Sequence, residues 1–286
     1  MNAKQYFQKI LVPVDGSHSS LRATELAALI AKKFQSKVTV IHVVTHECMH
    51  PELKAQYRLP PSVLQEIENW YLRAGRRIIR NAEEMFREEG IEIDARLVTF
   101  EDCAETVLQL AKEGGYDLVV IGNRAKTQAE RFALGSVTEK VARHAECPVL
   151  IVKQKTKIAK MLAAIDGSEH ADKALEYAVQ LAQKHGSKIT LVHVEEARLF
   201  RLEPKGIEAV GERILSDAAT KIKGVAFDKL LEFGSPAENI IKVAKKEDHD
   251  LIIVGSRGLS SVKRFFLGSV SDDVSMHARC SVLIVR

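Results

Sequence analysis

The sequence predicts two tandem α/β domains, each built on a five-stranded parallel sheet. Two observations lead to this prediction: the second half of the 286-residue chain repeats the first, and each half alternates short apolar segments with helical ones. Short apolar strands separated by helices are typical of a parallel sheet that is covered on both faces. The expected domains are residues 1–154 and 155–286.

The duplication is clearest near the end of each half. Residues 133–152 have the sequence ALGSVTEKVARHAECPVLIV and residues 266–285 have FLGSVSDDVSMHARCSVLIV, so 12 of 20 positions are identical without a gap. The openings also match, since VDGS at residues 14–17 corresponds to IDGS at residues 165–168. Matching residues lie 151 positions apart at the opening and 133 apart at the end, so the second copy is 18 residues shorter in between.

The missing residues are assigned to one helix. We expect a long polar helix over residues 62–89 in the first half and a shorter one over residues 206–223 in the second. An earlier helix of the second half is indicated by apolar residues at helical spacing, with Gly186 as its C-cap. The strands of the second half are predicted at residues 161–165, 189–194, 228–233, 251–254 and 282–285.

Composition excludes several other classes of protein. Apolar residues make up 46% of the chain and charged residues 28%, as in an ordinary globular protein. The net charge of +4 is spread along the chain without a basic block, so nothing indicates nucleic-acid binding. No apolar run approaches the ~20 residues that span a bilayer, and the polar first eight residues are unlike a signal peptide. With only four widely spaced cysteines, we expect a cytoplasmic protein without a disulfide framework.

A candidate ligand site lies where the strands of the second half end. Ligands of open parallel sheets bind beyond the C-terminal ends of the strands. At that edge, strand one is followed by Asp166. Strand four is followed by Gly255-Ser-Arg-Gly258, then by nine residues, and then by Gly268-Ser269. Glycine lets backbone N–H groups approach a phosphate closely, and the helix that begins near Ser269 adds further N–H donors. Asp166 could accept hydrogen bonds from ribose hydroxyls or hold a divalent cation.

Better-known phosphate loops are absent. The chain has no Gly-x4-Gly-Lys-Ser/Thr, and strand one is followed by Asp-Gly-Ser instead of Gly-x-Gly-x-x-Gly. A P-loop NTPase and an NAD-dependent dehydrogenase are therefore disfavoured. Nor does the sequence contain a recognisable Ser–His–Asp or Cys–His set for catalysis.

These motifs resemble those of the universal stress proteins, once per half and over nearly the whole chain. The second half matches the family signature Gly-x2-Gly-x9-Gly-Ser/Thr after strand four, with Asp166 after strand one. The resemblance implies a Rossmann-like fold of the adenine-nucleotide α-hydrolase type that holds ATP or AMP, with Mg²⁺ or Mn²⁺. It implies that Asp166 contacts the ribose or the metal and that the backbone of Val194 meets adenine. The expected nucleotide-binding residues are Ile165, Asp166, Val194, Val254, Gly255, Gly258, Gly268, Ser269, Val270 and Ser271.

The first half departs from this signature in two places. Ala125 stands where the second half has Gly258, and if the position needs a left-handed backbone, alanine costs about 1–2 kcal/mol. Residues 101–103 (Glu-Asp-Cys) replace Gly-Ser-Pro of residues 234–236, so two carboxylates would repel phosphate if this turn lies beside the pocket. We expect a weaker first-half site made of Asp15, Val43, Gly122, Gly135 and Ser136.

Several of these residues also have purely structural interpretations. Ser269, Asp15 and Asp166 could be helix N-caps, and the histidines at strand ends or on the last helices could be packed residues. One dense group of candidate metal ligands follows strand two of the first half. That group is His42, His46, Cys48 and His50. The histidines interpreted as structural are His42, His193, His144 and His277. Cys147 and Cys280 are interpreted as small buried residues.

Three functions remain open from the sequence. The favoured one is a stress-response or regulatory protein in which ATP or AMP shifts conformation or the choice of an unidentified partner. The alternatives are an interaction module that works without nucleotide and a slow ATPase or autophosphorylating protein. The last strands, at residues 149–152 and 282–285, are candidate exposed edges. They could pair the two halves as an internal pseudo-dimer, and an edge left open would recruit a second chain into a homodimer.

Overall fold

The structure is a computed structural model, and ten strands in it form one continuous sheet. The first half contains β1 (Lys9–Pro13), β2 (Lys37–Val44), β3 (Ile93–Thr99), β4 (Leu118–Gly122) and β5 (Val149–Val152). The second half contains β6 (Lys160–Ala164), β7 (Lys188–Glu195), β8 (Phe227–Phe233), β9 (Leu251–Gly255) and β10 (Ser281–Val285). The described residues are 6–45, 60–99, 102–123, 134–154, 156–196, 204–258 and 267–286.

Helices alternate with these strands as the sequence predicts. In the first half they are α1 (His18–Phe34), α2 (Pro61–Glu88), α3 (Cys103–Glu113) and α4 (Ser136–His144). In the second half they are α5 (Glu169–His185), α6 (Pro204–Ala219), α7 (Pro236–Lys246) and α8 (Ser269–His277). Among the described residues, no helix is both long and apolar enough to cross a membrane.

Element bounds agree with the sequence to within one residue for the strands and for the long helix α2. The shorter helix was expected to continue to residue 223, but α6 ends at Ala219. The N–H groups of Lys221 and Ile222 bond to carbonyls three residues back, at Ala218 and Ala219, so the α-helical pattern gives way to tight turns. Gly186 is the C-cap of α5 with φ +67°, as the sequence predicts.

The sheet has the strand order β3-β2-β1-β4-β5-β10-β9-β6-β7-β8. Strands are parallel within each half, which confirms the predicted five-stranded parallel units. The halves join through β5 and β10, which are antiparallel, with Leu150 opposite Leu283. The final strands therefore pair within the chain, and each has a strand on both sides. The expected homodimer cannot use an open final strand, because the outer strands of the described sheet are β3 and β8.

Both faces of the sheet are buried, which explains why the strands are apolar without alternation. In β1, Ile10 and Val12 face the layer formed by α1, α2, α5 and α6, whereas Leu11 faces α3, α4, α7 and α8. Each hydrophobic layer runs without a break across the two halves. Fully burying one such side chain contributes roughly 1.5–3 kcal/mol, so the shared layers favour one continuous body.

Polar contacts reinforce the junction between the halves. Buried Lys153, which directly follows β5, donates from Nζ to the carbonyl oxygens of Met276 (3.2 Å) and Ala278 (2.5 Å) at the end of α8. Burial lowers the pKa of Lys153 to about 8. Arg286, which directly follows β10, donates in the same manner to the carbonyl of Ala142 near the end of α4. Each half thus supplies a cation to the last helix of the other.

Candidate functional site

The turn after β6 places a carboxylate at the C-terminal edge of the sheet. Asp166 accepts the N–H of Ser168 through Oδ1 (2.9 Å), and Gly167 between them has φ +79°. Ser168, not Asp166, is the N-cap of α5, since its Oγ accepts the N–H of Ala171 (3.2 Å). The first half repeats this arrangement, with Ser17 as the N-cap of α1. The N-cap interpretation of the two aspartates is therefore wrong, because the serine two residues later takes that position.

Asp166 lies directly against the glycine loop. A Cβ atom built on Gly258 would lie 2.5 Å from Oδ2 of Asp166, closer than nonbonded atoms approach. Glycine at position 258 therefore lets the loop backbone pass beside the carboxylate. The corresponding Ala125 lies outside the described residues. The predicted proximity of Asp166 and Gly258 thus has a steric basis that the sequence motif alone did not reveal.

The first glycine of the loop has a packing role in both halves. A Cβ on Gly255 would lie 2.7 Å from the backbone carbon of His170 at the start of α5. A Cβ on Gly122 would lie 2.5 Å from the backbone carbon of Ser19 at the start of α1. Strands β4 and β9 can pack their ends onto these helices only because a glycine is present. These two glycines are therefore required by the fold, whether or not a ligand binds.

Helix α8 begins at the same edge of the sheet with its first turn uncapped by a side chain. Gly268 is the N-cap, with φ −67° and ψ 151°, and its own N–H bonds to the carbonyl of Ser256 (2.7 Å). Ser269 is the first helical residue, so its interpretation as an N-cap is wrong. Ser271 is buried and donates from Oγ to the carbonyl of Gly255 (2.5 Å). The first N–H groups of a helix lack intrahelical acceptors, and here they lie next to the glycine loop.

The loop contains one buried hydroxyl that the sequence did not single out. Ser256 is fully buried, and its Oγ has no hydrogen-bond partner among the described residues. Its backbone N–H bonds to the carbonyl of Val285. In the first half Asn123 occupies this position and accepts the N–H of Gly135 through its side chain (3.3 Å). The two loops therefore hold the following helix by different atoms, a backbone carbonyl in one and a side-chain amide in the other.

A buried pair of titratable side chains lies beneath the turn of Asp166. His193 contacts the carbonyl of Ile165 through Nδ1 (2.7 Å) and Oε1 of Glu195 through Nε2 (3.2 Å), and both side chains are buried. Nδ1 carries a proton, because it donates to a carbonyl. A hydrogen bond between Nε2 and Glu195 therefore requires a second proton, either on Nε2 or on the carboxyl group. The interpretation of His193 as a packed residue is confirmed. Its partner Glu195 was missed, and a carboxylate at the end of an otherwise apolar strand was the available signal.

The first half shares only part of this arrangement. His42 contacts the carbonyl of Val14 through Nδ1 (2.7 Å), but residue 44 is valine where the second half has Glu195. A helix glycine makes room for each histidine: a Cβ on Gly75 would lie 2.9 Å from Cδ2 of His42, and Gly211 lies similarly over His193. Glu195 therefore gives the second half a buried acid beside its candidate site.

Four apolar residues of the predicted site have side chains that pack in the core or against it. Ile165 and Val254 are 4% and 2% exposed, and they belong to opposite layers. Val194 is half-buried and packs with the same layer as Val254, as does Val270. Ile165 and Val254 can therefore face a ligand chiefly through their backbone atoms.

The turn after β3 differs in charge from its counterpart in the second half. Asp102 is the N-cap of α3 and accepts the N–H of Glu105 (2.8 Å), a bond that lowers the pKa of the aspartate. Lys140 lies 3.5 Å from the same carboxylate. Burial, with the charges of Asp102 and Asp15, raises the pKa of Cys103 to about 11, so this turn is close to Asp15. One of the two expected carboxylates, Asp102, is therefore present at this turn but partly neutralised by Lys140, and Glu101 lies outside the described residues.

The remaining predicted residues are distributed as follows. In the first half, Gly135 is the N-cap of α4, Ser136 is its first residue and Val43 is buried in β2. Of the four candidate metal ligands only His42 is described, and the other three lie outside the described residues. In the described part of the chain, no three His, Cys, Asp or Glu side chains are grouped as metal ligands. His144 and His277 are exposed, Cys147 is half-buried and Cys280 is buried.

The strand order and the duplicated turns define a tandem doubly wound α/β protein whose loops meet at the C-terminal edge of each parallel unit. The sequence model of the universal stress protein family matches residues 6–153 and 157–286. The chain therefore belongs to the universal stress protein family and contains two copies of its domain.

Known proteins support this assignment over one domain and over the whole chain. The universal stress protein YxiE of Bacillus subtilis is 37% identical over 145 residues, which cover 44% of this chain and 98% of that protein. A universal stress protein of Mycobacterium tuberculosis is 27% identical over 297 aligned residues, covering 97% of this chain and 96% of its own. The crystal structure of a universal stress protein from Archaeoglobus fulgidus has a TM-score of 0.73 at 22% identity, covering 99% and 98% of the two chains. It shares the fold.

Proposed function

We propose that the protein binds an adenine nucleotide, ATP or AMP, in its second half and acts as a nucleotide-dependent regulator. The observation that carries the proposal is the contact between Asp166 and Gly258 beside the uncapped first turn of α8. A carboxylate that accepts ribose hydroxyls and a row of backbone N–H groups that donates to phosphates are the two parts that a nucleotide requires.

The described residues fit such a ligand. Gly258 has no side chain to crowd Oδ2 of Asp166, and Oδ1 is already held by the Ser168 N–H. The carboxylate is therefore fixed in orientation before any ligand arrives. The N–H groups at the start of α8, with the hydroxyl of Ser269, would hold phosphate oxygens, and the backbone of Val194 would meet the adenine.

A divalent cation would bind at this site mainly through the phosphates of the nucleotide. Since no group of three protein ligands is present among the described residues, Mg²⁺ or Mn²⁺ at Asp166 would draw most of its ligands from phosphate oxygens and water. The cation would neutralise phosphate charge next to the aspartate. Without it, the two negative groups would repel each other, so we expect ATP to bind more tightly with Mg²⁺ present.

The first half supports a weaker site. Asp15 and the helix start at Gly135 match the second half. However, Asp102 adds a carboxylate near Asp15, and position 125 is alanine. Repulsion between this carboxylate and phosphate would lower nucleotide affinity relative to the second half.

The test is native mass spectrometry of the purified chain, followed by calorimetry with ATP and AMP in the presence of Mg²⁺. We expect one nucleotide to bind in the second half, and we expect Gly258→Ala to lower the nucleotide affinity at least about tenfold. The added methyl must displace Asp166 or the loop, which costs about 1.4 kcal/mol or more.

The matched control is Gly206→Ala, because a Cβ at Gly206 has no atom within 4 Å. This control should bind nucleotide as the wild type does. If the wild type retains no ligand and shows no binding by calorimetry, the proposal is wrong and an interaction module that works without nucleotide is favoured. If Gly258→Ala binds as tightly as the control, the site is not where we propose.

A further inference from the structure

Helix α8, whose start would hold the proposed phosphates, carries a negative charge in its first turn. Asp272 is in the first turn of this helix, and its N–H bonds to the carbonyl of the N-cap Gly268 (2.9 Å). A carboxylate in the first turn stabilises the helix by interacting with its positive end. The same positive end would attract a phosphate group, so a free Asp272 carboxylate would compete with the ligand and repel it.

An arginine of the first half holds this carboxylate. Arg143, in the last turn of α4, donates from Nε to Oδ1 of Asp272 (3.1 Å) and from Nη2 to Oδ2 (2.9 Å). The guanidinium group therefore contacts both carboxylate oxygens, which is the bidentate geometry of strong ion pairs. The side chains are only 38% and 22% exposed, so water screens the pair less than it would at an open surface.

The same arginine also holds the equivalent acid of its own half. Glu139, the counterpart of Asp272, lies in the first turn of α4 with Oε1 2.8 Å from Nη1 of Arg143. The counterpart of Arg143 in the second half is Met276, which is uncharged and cannot form the reciprocal ion pair. The ion pair between α4 and α8 therefore takes its cation from the half with the altered loop and its carboxylate from the half with the intact loop.

Helix α8 is thus held at both ends by cations of the first half. Arg143 binds its first turn, and Lys153 binds the carbonyls of Met276 and Ala278 at its last turn. The glycine loop is attached to the same junction, since the N–H of Ser256 bonds to the carbonyl of Val285. A change at the junction would therefore reach both parts of the proposed phosphate site.

We propose that Arg143 is a positioning residue for the nucleotide site of the second half. It draws the Asp272 carboxylate aside and neutralises its charge, so that the start of α8 can accept phosphate. The first half thereby sets the affinity of the second half even if it holds no ligand itself. This inference rests on the proposed function and adds to it a specific route by which one domain regulates the other.

The test compares nucleotide affinity by calorimetry in the full chain with Mg²⁺. Arg143→Met, which installs the residue of the second half, should weaken ATP binding about 5- to 20-fold, as is typical for coupling between sites. AMP should lose less, because it carries fewer phosphates. Arg143→Lys keeps the charge but not the bidentate contact, so it should bind ATP more tightly than Arg143→Met and less tightly than the wild type. Arg96→Met is the matched control, since it breaks an exposed Arg–Asp pair on the distant strand β3.

The decisive variant combines Arg143→Met with Asp272→Asn. Removing the charge of Asp272 should restore ATP affinity although the ion pair stays broken, whereas thermal stability should not recover. A role limited to holding the halves together predicts that neither the ATP affinity nor the thermal stability recovers, and that result overturns the inference. If the wild type binds ATP and Arg143→Met binds it equally well, the inference alone fails. If the wild type binds no nucleotide, the proposed function fails with it.

Discussion

Two glycines inside helices allow a matched test of how tightly the histidine of strand two is packed. A Cβ on Gly75 in α2 would lie 2.9 Å from Cδ2 of His42 and 2.8 Å from Cδ1 of Leu97. The His42 ring cannot easily move away, because Nδ1 is bonded to the carbonyl of Val14 (2.7 Å). Gly206 in α6 is also helical, but a Cβ there meets nothing within 4 Å.

The expected magnitudes follow from these distances. Replacing glycine by alanine in a helix favours folding by up to about 1 kcal/mol, and Gly206→Ala should show this gain. Gly75→Ala has the same gain but forces one extra methyl into a filled space, which typically costs about 1–3 kcal/mol. The helix propensity largely cancels between the two variants. We therefore expect Gly75→Ala to be about 1–3 kcal/mol less stable than Gly206→Ala.

Urea denaturation followed by far-UV circular dichroism measures this difference at constant pH. Gly211→Ala should behave like Gly75→Ala, since its Cβ would lie 3.2 Å from both His193 and Glu195 and closer still to Leu231. If Gly75→Ala proves as stable as Gly206→Ala, the ring of His42 is not held as the structure indicates, and the packing argument fails.

Two further predictions concern stability. Because the folded pKa of Lys153 is about 8 against an ordinary 10.5, the unfolded chain binds more protons between these values, so folding becomes more favourable as pH rises from 8 to 10.5. Wild type should therefore gain up to about 3 kcal/mol relative to Lys153→Met across this window in urea titrations, and a difference that stays constant with pH would contradict the burial of a charged amine. Ser168→Ala should cost about 1 kcal/mol by removing the N-cap of α5, whereas the same change at exposed Ser62 should cost little, as thermal unfolding can check.

Much of the fold was predictable because its signals are local or repeated. The buried strands are short apolar runs, and the duplicated segments near residues 133–152 and 266–285 show that both halves form the same elements. The glycine spacing at Gly255, Gly258 and Gly268 placed these residues at one edge of a parallel sheet, where the structure has them.

Other parts of the site could not be predicted, because they depend on atoms that approach one another only after folding. Asp166 was a candidate N-cap from its position before the helix, and only the backbone geometry showed that Ser168, two residues later, takes that position. Similarly, Glu195 appeared as one polar residue at a strand end, and only the packing of α6 over β7 buries it against His193.

The sequence by itself determined the duplication, the order of strands and helices, and the difference between the two glycine loops, since each follows from local sequence patterns or from comparing one half of the chain with the other. Only the tertiary structure decided that β5 and β10 pair antiparallel and merge the halves into one sheet. It also decided that Arg143 reaches Asp272, which is 129 residues away. Backbone edges and exposed charges can pair with many partners, and the packing of the two halves selects one of them.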